Sequence, residues 1–298
     1  MNPFPALFAF AQAIGFKAQD LTDRRLQERG VSPFGAFSLQ RYALIPAILW
    51  CLMFVRPADI AYVFHTPVLL MYFCAIALIW NMQSFLSSYV MNATSSMSSL
   101  STLENLLYLP LLLLVGTFFN HDVPNAYALA AIAALLCAFI IHPSQHRENE
   151  RKRFSMPLAA LAGLVLVKAI LGAVNTGFTR AGLALVHPAV FLGVFATTTL
   201  LLCVVWTSFI PKREADYGII RKRQWYALLI PALWFAASIP ETFAYAALPI
   251  YTVVSIGAVT FGADIASDLS HRRIRITLRT ASFILLVLLG TALAAYST

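Results

Sequence analysis

The chain has 298 residues, 60% of them apolar and 11% charged, with a mean hydropathy of +0.75 and a formal charge of +8. A soluble domain of this length needs far more polar surface, so these values exclude an ordinary water-soluble globule and point to a chain whose apolar surface lies in lipid. The positive charge collects in short segments between apolar runs and builds no face that could grip nucleic acid.

In chain order, the apolar runs read as ten membrane spans, at 3–20, 35–54, 65–87, 96–119, 125–142, 156–176, 183–210, 224–239, 241–263 and 277–296. The first run has no basic residue ahead of it and no clear small-residue cleavage site behind it, so it is read as a retained span. Cys51, Cys74, Cys137 and Cys203 all lie in apolar runs without a Cys-x-x-Cys pair and are read as buried free thiols. The fourth run carries Ser101, Glu104, Asn105 and Tyr108 at i, i+3, i+4 and i+7, which places them on one helix face.

That pattern returns as Ser238, Glu241, Thr242 and Tyr245, leading the ninth run. Two shorter matches stand in the same order: Phe16-Lys17-Ala18 with Val167-Lys168-Ala169, and Val31-Ser32-Pro33 with Val186-His187-Pro188. The expected fold is therefore an all-α membrane protein of ten transmembrane helices, arranged as an inverted repeat of two five-helix halves. The halves are residues 1–145 and 154–298 of a single membrane domain. Five is odd, so the second half enters the membrane from the opposite side, an arrangement common in transporters.

Seventeen of the twenty-one basic residues fall in or beside the connections after spans one, five, seven and nine, among them Arg24, Arg25, Arg29, Arg151, Lys152, Lys212, Arg213, Arg272 and Arg273. Only Arg56 and Arg180 stand on the other side, so the positive-inside rule puts these connections in the cytoplasm and both termini outside.

Gly30-Val31-Ser32-Pro33 with Leu39-Gln40-Arg41-Tyr42, Asn92-Ala93-Thr94-Ser95-Ser96 with Leu109-Pro110-Leu111, and Ala247-Leu248-Pro249 together resemble the drug/metabolite transporter superfamily, in particular its EamA-type ten-span members. The likeness covers nearly the whole chain. It implies two inverted five-helix units around a central cavity and transport of small metabolites or drugs. Asn120-His121-Asp122 stands where that family usually carries a Gly-Glu-Arg turn.

Among candidate site residues, Glu104 comes first, because a carboxylate in hydrocarbon faces a cavity or a partner and suits proton coupling or recognition of a cation. The bland alternative is a capping box with Ser101 as N-cap. Glu241 follows, with Ser238 as a competing cap and Pro240 in the first turn. Lys168, deep in the sixth span, is expected to pair with a glutamate or to bind an anionic group. Lys17 is read as an interfacial anchor. Asn81 and Gln83 point to different faces of the third span and suit either cavity lining or interhelical hydrogen bonds. Tyr108 and Tyr245 suit stacking on a substrate or plain packing. Asp264 and Asp268 form a single acidic cluster, where a membrane prenyltransferase needs two, and are read as part of a solvated loop.

HExxH, GxSxG and phosphate-binding glycine motifs are missing from the sequence, so no enzyme, catalytic residue, metal or cofactor is expected. The reading is a secondary transporter or exporter of a small polar or amphipathic metabolite in a bacterial inner membrane, working by alternating access with proton coupling open. Its partners are the lipid bilayer and a small-molecule substrate, in a monomer or homodimer. The alternatives are a flippase for a lipid-like substrate and a non-transporting scaffold or enzyme subunit.

Overall fold

The structure is a computed structural model. It describes residues 4–93, 97–141, 157–208, 218–220, 222, 224–270 and 277–297. All the regular elements among them are helical. The first six are α1 (Phe4–Glu28), α2 (Pro33–Phe54), α3 (Pro57–His65), α4 (Pro67–Ala93), α5 (Met97–Phe118) and α6 (Ala126–Ile141). The rest are α7 (Leu158–Leu183), α8 (Pro188–Ser208), α9 (Gln224–Ala247), α10 (Ile250–Gly257), α11 (Phe261–Ser270) and α12 (Leu278–Tyr296). A short 3₁₀ turn, Ala258–Thr260, joins α10 to α11, so the two cross as one stretch.

Eight stretches are long and apolar enough to span a bilayer: Pro33–Phe54, Pro67–Ala93, Leu100–Phe118, Ala159–Leu183, Pro188–Ser208, Leu228–Ala247, Ile250–Ser270 and Leu278–Tyr296. Large apolar side chains such as Met53, Val68, Met71, Ile140, Leu228 and Leu285 stand fully outward. Such a belt is at home in lipid and is not sustained by a protein in water. This is consistent with an integral membrane protein.

Local chemistry sets several helix ends. At the close of α1, Gly30 takes φ +95, a conformation open to glycine at no steric cost. Ser32 then caps α2 by accepting from the Gly35 N–H, with Pro33 in the first turn. Thr277 and Thr280 form a reciprocal cap at the head of α12.

The helices interlock across the two halves of the chain. Helix α1 packs mainly on α9, and α7 packs on α4. Helix α5 packs on α7, while α1 also meets α10. Helix α4 meets α8, and α9 meets α2. The pairs α2–α8 and α6–α12 complete the bundle. The largest apolar cluster draws on both halves, with Phe73, Ile76, Leu112, Phe191, Trp234 and Ile250 among its members.

Four expectations need correction. The eighth span does not end at Pro240: α9 runs through Pro231 and Pro240 to Ala247. Membrane helices tolerate such prolines because neighbouring groups re-satisfy the freed carbonyls. The break falls instead at Leu248-Pro249, where Pro249 becomes the N-cap of α10. The first helix continues past residue 20 to Glu28, and a short helix, α3, precedes the third long span. Cys51 and Cys203 are buried, but Cys74 and Cys137 are exposed on the outer surface of their helices. The boundary between the expected halves, at 145–154, lies outside the described residues.

Candidate functional site

The bundle holds a cavity of about 360 Å³, walled by α1, α4, α5, α7, α8, α9, α10 and α11. Along α1 its lining runs from Gln12 to Asp23, about 16 Å at the 1.5 Å rise of a helix.

Two ion pairs border it. Lys168 on α7 donates to Glu104 Oε2 on α5 at 2.6 Å. Lys17 on α1 donates to Asp264 Oδ2 on α11 at 2.7 Å. Asp20, one turn after Lys17, is close enough to interact with both lysines and with Glu104 and Asp264, so it couples the two pairs electrostatically. Each lysine therefore meets a carboxylate supplied by the other half of the chain.

A second polar wall lies on α9 and α7. Glu241 lines the cavity beside Tyr108 and Tyr245. The Tyr108 hydroxyl shares a hydrogen bond of 2.8 Å with Thr176 Oγ1. Tyr245 is buried next to Thr176 and Gln12. Gly172 on α7 keeps this wall open: a Cβ there would stand 3.0 Å from Gln83 Nε2 and 3.1 Å from the Tyr108 ring.

Each end of the cavity is tied by an arginine from α1 or α7. At one end, Arg24 on α1 donates to the Met91 carbonyl, and Gln27 donates to the Ser88 carbonyl. Both acceptors are in the last turns of α4. At the other, Arg180 on α7 donates to the Tyr245 and Ala246 carbonyls in the last turn of α9. The last carbonyls of a helix lack intrahelical donors, so a half-buried guanidinium there is well matched. The head of α10 is served in turn by Asp122, which accepts from the Ile250 N–H. Burial holds the Asp122 carboxyl above its usual range, and the nearby Arg180 opposes that rise.

Of the residues singled out from the sequence, Glu104, Lys168, Glu241, Gln83, Tyr108 and Tyr245 all line the cavity. Asn81 is outside its lining. It is buried against α8 and donates to the Ala77 carbonyl of its own helix and to the Thr199 carbonyl of α8, the second an interhelical bond. The capping readings fail on geometry. Ser101 sits inside α5, which begins at Met97, and Ser238 sits inside α9, where its hydroxyl donates to the Trp234 carbonyl. Glu241 is thus a mid-helix residue of α9, one helix before the place its supposed match with Glu104 requires.

Lys17 is no interfacial anchor, because its ammonium is held by a fully buried Asp264. Asp264 and Asp268 are not in a solvated loop: both are buried on α11. Asp23 went unread because the first span was ended at residue 20, and Gln19 and Asp20 because they stood at its expected edge. Gln12, Gln19, Asp23 and Gln27 recur at helical spacing, and that polar stripe is the signal that would have found them.

No family model matches the chain, and no curated protein matches it. Solved structures do. One, described as "Crystal structure of protein", superposes with a TM-score of 0.65 at 14% identity, covering 99% of this chain and 97% of that one. At that identity the likeness is one of fold.

Proposed function

We propose that the chain is a secondary transporter of a small polar or amphipathic molecule, working by alternating access between two inverted five-helix halves. One observation carries the reading: two lysine–carboxylate pairs, each joining opposite halves, border the same cavity. Exchange α1 with α7, α2 with α8, α4 with α9, α5 with α10–α11 and α6 with α12. The Lys17–Asp264 pair then becomes the Lys168–Glu104 pair, and the α1–α9 contact becomes the α7–α4 contact. The arginine ties exchange as well, with α1–α4 at one end becoming α7–α9 at the other. Two equivalent halves around one site are the arrangement that lets a protein open alternately to either side.

In this reading α1 and α6 are the spans that complete ten. Helix α1 is charged because its polar stripe faces the cavity, while Phe4, Leu7, Phe10 and Ile14 face outward. The sixteen-residue α6 is apolar throughout. The basic connections stand in the cytoplasm of a bacterial inner membrane, with both termini outside. The resemblance to EamA-type transporters agrees with ten spans in two inverted halves; familiar members of that family place their termini in the cytoplasm, and the outward placement here rests on the distribution of basic residues. The cavity carboxylates are groups that can exchange a proton with the aqueous phase, so a proton gradient is the coupling to test first.

The test is substrate counterflow into proteoliposomes, run beside Glu104→Gln. The expected result is uptake by wild type and uptake at least about tenfold lower by a folded variant. Uptake unchanged in the variant overturns the site. A protein that shows no counterflow with any amine, amino acid, sugar or nucleoside overturns the transport reading.

A further inference from the structure

The ionisable groups of the cavity lining are unevenly matched. Its lining carries two lysines, Lys17 and Lys168, against five carboxylates: Asp20, Asp23, Glu104, Glu241 and Asp264. Both lysines already donate to carboxylates, at 2.7 and 2.6 Å, and Asp20 interacts with both of them. An anionic ligand would therefore have to displace an internal carboxylate from the lysine it engaged, and would meet the remaining carboxylates in a low-dielectric interior.

What is left open is an acceptor. Glu241 has no ion pair or hydrogen bond among the described residues, and it shares the cavity lining with Tyr108 and Tyr245. A second acceptor lies beside the same tyrosine. Gln12 is only 6% exposed, lines the cavity, and its Oε1 has no donor among the described residues. A buried acceptor without a donor is costly and marks a place where a donor belongs. One and two turns before Glu241, Ser238 and Trp234 extend the same face of α9, and Trp234 meets Trp80 edge-on at 5.9 Å.

We infer that Glu241, Gln12, Tyr108 and Tyr245 form the recognition point for a protonated amine carrying an apolar body, and that the transported molecule belongs to that class. The ammonium brings donors only, which is what Glu241 and Gln12 Oε1 lack. The tyrosine faces favour a cation, and the tryptophans accommodate the body. The inference rests on the transporter reading for its second clause and on the cavity alone for its first.

Calorimetric titration of the purified full-length protein in detergent tests it, with phenethylamine, 3-phenylpropionate and 3-phenylpropan-1-ol as size-matched cation, anion and neutral probes. Phenethylamine is expected to bind, 3-phenylpropionate not to, and the alcohol to bind at least tenfold more weakly than the amine. Glu241→Gln is expected to weaken the amine at least tenfold, and Glu241→Asp to restore part of that loss. If Glu241→Gln does not fold, the ranking of the three probes on wild type still decides. Preference for the carboxylate, equal binding of all three, no amine binding up to about 10 mM, or an undiminished Glu241→Gln overturns the inference. Amine binding without amine counterflow in proteoliposomes overturns the transporter reading and leaves the binding site standing. Counterflow of an anion does the reverse.

Discussion

The two lysine–carboxylate pairs share chemistry and length but differ in surroundings. Asp264 is wholly buried and Lys17 11% exposed, whereas Glu104 is 24% exposed opposite a 9% exposed Lys168. The difference follows from where each carboxylate leaves its helix. Asp264 departs from α11, pressed against α5 by Phe261 and Ile265, which pack with Leu109. Glu104 stands on the polar face of α5, with Ser101, Asn105 and Tyr108 beside it in the cavity wall. One pair is therefore embedded in the scaffold, and the other is open to whatever enters. A buried charge stripped of its partner costs far more than a hydrated one, because only the second recovers solvation from water.

The largest effect should come from the embedded pair. Asp264→Ala leaves the Lys17 ammonium with its main partner gone and is expected to destabilise by about 3–5 kcal/mol, read as lost monodisperse protein and a lower melting temperature in detergent. Lys17→Met combined with Asp264→Leu should recover much of that loss, since two apolar groups need no partner. If Asp264→Ala melts like wild type, the distinction between the pairs collapses.

Glu104→Gln should be milder in stability, about 1–3 kcal/mol, and severe in function. A folded protein with transport reduced at least about tenfold is the expected outcome in counterflow. Loss of folding comparable to Asp264→Ala would show that the open pair is structural after all.

The arginine ties come next. Arg180→Met removes the donor to the Tyr245 and Ala246 carbonyls, and Arg24→Met the donor to the Met91 carbonyl. Each should raise the cysteine-labelling rate of a reporter placed near its own end of the cavity and leave the other end unchanged, with a stability cost of about 1–3 kcal/mol. Equal effects at both ends would argue against independent closures.

The smallest effect belongs to Gly172→Ala. Its Cβ would crowd Gln83 and Tyr108 by a few tenths of an ångström, with the global fold kept. A change in melting temperature barely above error, with weaker substrate affinity, is expected. Unchanged affinity would separate this part of the wall from the substrate's path.

Much of the site was legible from residue type. Glu104, Lys168, Glu241, Gln83, Tyr108 and Tyr245 are polar or amphipathic groups in apolar runs, and such groups turn inward because lipid offers them nothing. Lys17 and Asp264 were misread because both sit close to basic connections, where a charge is usually solvated. Their burial depends on α1 packing against α10 and on α11 packing against α5. The break between spans eight and nine was misplaced because a proline in sequence looks the same whether the helix absorbs it, as at Pro240, or yields to it, as at Pro249.

Membrane residence follows from composition alone, because the transfer of apolar surface into lipid depends on how much there is and hardly on how it is arranged. The helical class follows as well: in hydrocarbon the backbone must satisfy itself within each segment. Which charge meets which is another matter. Lys17 and Asp264 are 247 residues apart in the chain, and Lys168 and Glu104 are 64 apart. No local rule joins them, since only the crossing of helices from opposite halves brings an ammonium within hydrogen-bonding reach of one carboxylate and leaves another, Glu241, facing the cavity.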